Sequence, residues 1–192
     1  MGNQAHRPPL ILVKHGQPAI VPEVPRSQWS LSDEGRVSAA TLAGKLARFE
    51  PRALFASPEI KAHDTAQAMG DVLGLAVRTD EDLAEHRADH NPFVSAAEIE
   101  ALIERALRDP DHLIMGEETG AAARQRFAAA MERVAAAGEG TKVVVAHGRV
   151  ISLWLSAELQ LDPVPFWRRL AFTSAAVVTE EGFEIIDGLG TL

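Results

Sequence analysis

The chain contains no cysteine. Disulfides, thiolate nucleophiles and cysteine-ligated metals are therefore excluded. It also has no basic stripe and no arginine run. Lysine and arginine number 19 against 27 aspartates and glutamates, a formal net charge of −8, so no nucleic-acid partner is expected. Long apolar runs are missing as well. Residues 1–9 are polar and then proline-bound, and the apolar run after them is far too short for a signal-peptide core or a membrane span. The expectation is a cytoplasmic protein with no membrane partner. No low-complexity tract or internal boundary interrupts the 192 residues. They read as one domain, 1–192, large enough to bury roughly 70% of its unfolded surface.

What the chain does have is organised around Leu10-Ile11-Leu12-Val13-Lys14-His15-Gly16. The apolar run reads as a buried parallel strand, and the glycine allows a sharp backbone turn just past the histidine. A second copy, Val143-Val144-Val145-Ala146-His147-Gly148, lies near the far end. Two such strands can set two imidazoles side by side at the carboxyl edge of one sheet, where open α/β sheets bind ligands. A lone histidine at a strand end is more often a structural hydrogen-bonding group. The repeat of the pattern, with a cation directly before His15, favours function.

Between these strands the residues alternate in type. Residues 17–29 carry Pro18, Pro22 and Pro25 and read as an irregular loop. Ser32 is a candidate N-cap for a helix to about Phe49, with Val37, Leu42, Leu46 and Phe49 near one face. Residues 53–56 read as a second buried strand. Pro58 suits the first turn of a helix that Gly74 ends. A third strand is expected at 75–77, and a polar loop at 83–87. Ser95 and Glu98 form a capping box for a helix to about Arg108. An alanine-rich helix spans 121–137, and another runs from about 150 to 159. Pro163 and Pro165 read as a turn, and 175–186 as a hairpin. Alternating strands and helices imply an α/β three-layer sandwich: a mostly parallel central sheet with helices on both faces. The hairpin offers a sheet edge through which two subunits could pair as a homodimer.

At Val13-Lys14-His15-Gly16 the chain resembles the histidine phosphatase superfamily, the phosphoglycerate-mutase-like fold of histidine acid phosphatase branch 1 type. The similarity continues in order through Trp29–Gly35, the block Phe55–Ala66, Leu83-Ala84-Glu85, Gly116–Thr119 and Val145–Gly148. It thus spans nearly the whole chain. The resemblance implies a metal-independent phosphatase with no cofactor and a small phosphorylated substrate, either a phosphomonoester or phosphohistidine on a protein. His15 would take up the phosphoryl group, Lys14, Lys61 and His147 would bind its oxygens, and Glu85 would be the general acid. Water would then cleave the phosphohistidine.

The chemistry of these residue types agrees. Neutral imidazole is a good nucleophile near neutral pH. Nearby cations disfavour its protonation and stabilise charge on the phosphoryl oxygens. Backbone N–H groups beside Gly16 and Gly148 can add donors at a helix start. Burial or a nearby phosphate would have to raise the pKa of the acid. The sequence departs from the family at Lys14 and Lys61, where arginines are usual; each loss of a bidentate fork costs about 1–3 kcal/mol of contact. His86 and His90 are spaced i, i+4, but no glutamate follows the first, so no metal site is expected. Arg87 is a candidate to reach the substrate, and Glu117, Glu118 and Thr119 are candidates either for the pocket mouth or only for capping the next helix. Two rivals stand beside the phosphatase: a phosphoglycerate-type mutase, and a non-catalytic module that binds phosphorylated ligands.

Overall fold

The computed structural model describes residues 8–89 and 95–188. In chain order its elements are β1 (Leu10–Lys14), α1 (Asp33–Leu46), β2 (Ala53–Ala56), α2 (Ile60–Leu73), β3 (Val77–Thr79), α3 (Ala96–Arg108), α4 (Gly120–Ala136), β4 (Lys142–Ala146), α5 (Gly148–Leu159), α6 (Pro163–Arg169), β5 (Ser174–Thr179) and β6 (Gly182–Asp187). The strands form one sheet in the order β3-β2-β4-β1-β5-β6. The first four of that order pair in parallel, and β5 and β6 are antiparallel. The sheet is thus mostly parallel, as expected.

Alternation along the strands builds two apolar layers. Ile11, Val13, Leu54, Val143 and Val145 point to one face and pack with Leu42, Leu46 and Met69 of α1 and α2. Leu12, Val144 and Ala146 point to the other and pack with Phe127, Val150 and Ile151 of α4 and α5. This period of two on a sheet covered on both sides is why β1 and β4 are apolar apart from one terminal lysine each. The β1 and β4 ladder keeps Lys14 opposite Ala146, so His15 and His147 leave the sheet at the same edge.

Local signals act largely as read. Ser32 accepts the Gly35 N–H, Ser95 and Glu98 close a capping box, and Gly74 ends α2 at φ 68°. Five expectations are corrected. The turn at Pro163 and Pro165 is the start of α6: Asp162 caps it, and proline suits N1, where the missing N–H is no loss. β3 lies two residues later than expected. Pro58 precedes α2, whose cap is Glu59. Val37 is exposed, and the buried stripe of α1 runs through Ala39, Leu42, Ala43 and Leu46. Within the expected polar loop, Leu83 is fully buried and closes a 3₁₀ turn (Glu81–Leu83). Among the described residues no helix is long and apolar enough to cross a membrane.

Candidate active site

His15 follows β1 with its backbone tied on both sides. Its N–H donates to the Ala146 carbonyl at 3.0 Å, and its own carbonyl accepts the Thr173 N–H at 3.1 Å. The side chain is also fixed. Nδ1 lies 2.8 Å from the Gly16 carbonyl, which can only accept, so Nδ1 carries the proton and Nε2 carries the lone pair. Burial, then the neighbouring His147 ring, Lys61 and Lys14, push its pKa well below the ordinary imidazole value, against the Gly16 carbonyl. The ring is therefore neutral, with its free lone pair defined. His147 stands beside it, edge to face, with ring centroids 5.1 Å apart. It is wholly buried, and burial and Lys61 likewise hold it neutral against the pull of Glu85. Its Nε2 shares a hydrogen bond of 2.8 Å with Ser57 Oγ, and its Nδ1 has no partner among the described residues.

Both lysines are anchored. Lys14 Nζ donates to the Leu170 carbonyl at 2.9 Å and sits 4.5 Å from the Phe172 ring centroid. Burial pushes its pKa down to about 8, with Glu85 opposing. Lys61, only 6% exposed, donates to the Arg26 carbonyl at 2.9 Å and pairs with Glu59.

Glu85 is held from four directions. Its carboxylate accepts N–H groups from His86 at 2.9 Å, Val150 at 3.1 Å and Arg149 at 3.2 Å, and pairs with Arg149 Nε at 3.3 Å. Two of these amides belong to the first turn of α5, so Glu85 itself occupies that helix N-terminus. Burial would raise its pKa, but Arg149, the His147 ring and the amides outweigh it and hold it well below the usual carboxylate range.

Lys14, His15, Lys61, Glu85, His147 and Gly148 line one cavity of about 570 Å³. Gly16 does not: its N–H donates to Thr65 Oγ1 at 2.9 Å, so it is not a free donor. Nor is a positive φ the reason for glycine here. A Cβ at this position would stand 2.8 Å from Leu31 Cδ1 and 2.9 Å from the Gly35 carbonyl, so the need is close approach to the start of α1. Arg87 and Glu117 do line the cavity, whereas Glu118 pairs with Arg126. His86 is buried, and its Nε2 donates to the Glu118 carbonyl at 2.8 Å. His90 lies outside the described residues, and among those described no cluster of His, Asp or Glu could hold a metal ion.

Sequence reading missed several charged residues of the cavity wall, Glu59 and Arg149 among them. Glu59 looks like an ordinary acid at a helix start, yet its carboxylate faces Lys61 and stands 3.4 Å from His147 Nε2. Arg149 follows the second His-Gly pair directly, a position one residue inside a helix that points its side chain back to the sheet edge.

A family model described as the histidine phosphatase superfamily (branch 1) matches residues 10–185. No curated protein sequence matches. Among solved structures, a mycobacterial glucosyl-3-phosphoglycerate phosphatase superposes with a TM-score of 0.73 at 24% identity, over 93% of this chain and 96% of its own. A second mycobacterial protein, described only as a hydrolase, gives 0.72 at 21% identity, over 96% and 98%. A phosphoserine phosphatase of Entamoeba histolytica, solved with 3-phosphoglyceric acid, gives 0.70 at 16% identity, over 93% and 95%. At these identities the superpositions establish the shared fold.

Proposed function

The chain belongs to branch 1 of the histidine phosphatase superfamily, and on that footing we propose that it hydrolyses a small phosphomonoester through a covalent phosphohistidine on His15. The observation that carries this reading is the defined Nε2 lone pair of a neutral, buried His15 beside His147 on the cavity wall. Nε2 attacks phosphorus, and the bond to the leaving oxygen breaks. Lys14 and Lys61 are cations held by carbonyl oxygens at the cavity wall, ready to offset charge on the phosphoryl oxygens. His147 Nδ1, buried without a partner, is the neighbouring polar atom available to the same group. Gly148 keeps the wall low, since a Cβ there would meet Lys14 Cε at 3.3 Å.

Glu85 serves this reading as the general acid, once a bound phosphate offsets the cations that hold it ionised, and also as an anchor. It fixes Arg149 and the first turn of α5, and through them the position of His147. Two of the relatives named above act on, or are seen with, small compounds that carry a phosphate and a carboxylate. A small phosphorylated metabolite is therefore the substrate class we propose.

The test is phosphate release from a generic aryl phosphate, with and without EDTA, for the wild type and His15→Ala. The expected result is turnover that resists EDTA and is lost in the variant. EDTA-sensitive turnover, or turnover that survives in His15→Ala, would overturn the reading. Transfer of the phosphoryl group to a second hydroxyl without phosphate release would identify a mutase instead.

A further inference from the structure

We propose that the Trp167 indole N–H is a phosphate-binding donor of this site: it takes a phosphoryl oxygen next to the one that Lys14 holds. The inference rests on the phosphomonoesterase reading above and adds a binding residue to it.

Lys14 by itself grips poorly. A transferring phosphoryl group spreads its charge over three equatorial oxygens. An ammonium meets them as a point charge on a flexible stem, without a planar fork that fixes two oxygens at once. One of its three N–H donors is also committed, to the Leu170 carbonyl. A second donor on the same side gives a two-point grip, and α6 supplies one.

α6 is tied at both ends. Asp162 caps its start, with Pro163 in the first turn, and the Leu170 N–H closes it onto the Phe166 and Trp167 carbonyls. Phe166 is buried and meets Phe183 edge to face, with ring centroids 5.4 Å apart. Trp167 is half-buried. It packs against the apolar layer of Leu12 and Phe127, yet it also lines the cavity. The body of the ring therefore belongs to the core and its edge to the site.

That edge carries the indole nitrogen. A Cβ built on Gly148 would stand 3.4 Å from Trp167 Nε1 and 3.3 Å from Lys14 Cε. The indole nitrogen and the end of the lysine stem thus flank one glycine, and a side chain there would crowd both. Gly148 opens α5 directly after His147, whose ring stands against His15. Phe172 completes the group, 4.5 Å from Lys14 Nζ and 5.4 Å from the His15 ring centroid.

The indole N–H is uncommitted: among the described residues no acceptor takes it. Trp29 differs, since its N–H donates to the Val21 carbonyl at 2.8 Å. The other cations of the wall are more heavily engaged. Lys61 holds Glu59 and the Arg26 carbonyl, and Arg149 holds Glu85 and meets Met115 Sδ at 3.7 Å. An indole only donates and does not titrate. It therefore adds grip on an anion without adding another charge to a wall that already carries Lys14, Lys61 and Arg149. One turn of α6 serves both donors: Leu170 aims the ammonium, and Trp167 stands beside it.

Two readouts on the intact protein test this. The chain has three tryptophans, so a nitrogen–proton correlation spectrum contains three indole signals. Inorganic phosphate is titrated below the pH of about 8 at which Lys14 loses its charge. The indole signal absent from Trp167→Phe is expected to move downfield, and that of Trp29 to stay. Trp29→Phe and Trp154→Phe assign it by elimination if Trp167→Phe does not fold. Phosphate affinity is then compared in two backgrounds. Trp167→Phe is expected to weaken binding about tenfold in the wild type. In Lys14→Arg, whose guanidinium already grips two oxygens, the same change should cost less than about threefold. A Trp167 signal that does not move downfield while backbone amides of the cavity shift overturns the inference and leaves the phosphatase reading intact. So does an equal loss in both backgrounds, which marks Trp167 as packing alone. A wild type that shows no phosphate-induced shift and turns over no ester overturns both readings.

Discussion

The individual side chains of this site are positioned by hydrogen bonds that leave little freedom. His15 cannot choose its tautomer, because the Gly16 carbonyl accepts only from Nδ1–H. Lys14 is the residue with a pH consequence. Its ammonium is pushed down to about 8, so the charge is present below that pH and lost above it. Activity and phosphate affinity should therefore fall as pH rises through about 8. Lys14→Arg, whose guanidinium stays charged, should move that limb upward in a pH–rate profile. Ser57 is a second case. It holds the buried His147 ring. Ser57→Ala should cost about 1–3 kcal/mol in urea unfolding, because it strands a buried ring nitrogen.

At the scale of elements, the two His-Gly strands were readable because a fully buried parallel strand has no polar alternation to confuse it. Each motif stops where a strand ends or a helix begins, so the fold itself gathers Lys14, His15, Lys61 and His147 onto one cavity. Glu59 and Arg149 escaped for a physical reason. An acid at a helix start and a basic residue in a helix are common surface features, and only the packing shows which ones turn inward. α6 escaped because proline reads as a breaker, although the Asp162 cap before it was the signal of a start. Asp162→Ala should accordingly cost about 1 kcal/mol in chemical denaturation. Gly16 tests the contact between β1 and α1. Gly16→Ala places a Cβ against the Gly35 carbonyl, which is backbone and cannot rotate away. It should lower stability by about 1–3 kcal/mol and shift His15 enough to reduce kcat.

For the whole molecule, the buried site makes stability depend on acid. Unfolded His15 and His147 would protonate near their ordinary value of 6.5, but the folded chain holds both neutral. Glu85 is held ionised well below its ordinary value of 4.5 when folded. In all three cases the unfolded chain binds more protons in acid, so stability rises with pH there and is lost as pH falls. Thermal unfolding should show Tm dropping as pH goes below about 6.5. The first part of that drop should be smaller in His15→Asn, which removes one of the two buried imidazoles.

The central claim, that His15 itself carries the phosphoryl group, is tested most directly by trapping the intermediate. Enzyme mixed with a turning-over phosphomonoester is quenched within one turnover in alkaline denaturant, which preserves phosphohistidine, and its peptides are weighed. The account predicts one phosphoryl group on the peptide that contains His15, and none in His15→Asn. Steady turnover with no phosphoryl group on that peptide, or an equal level of labelling in the variant, would contradict it.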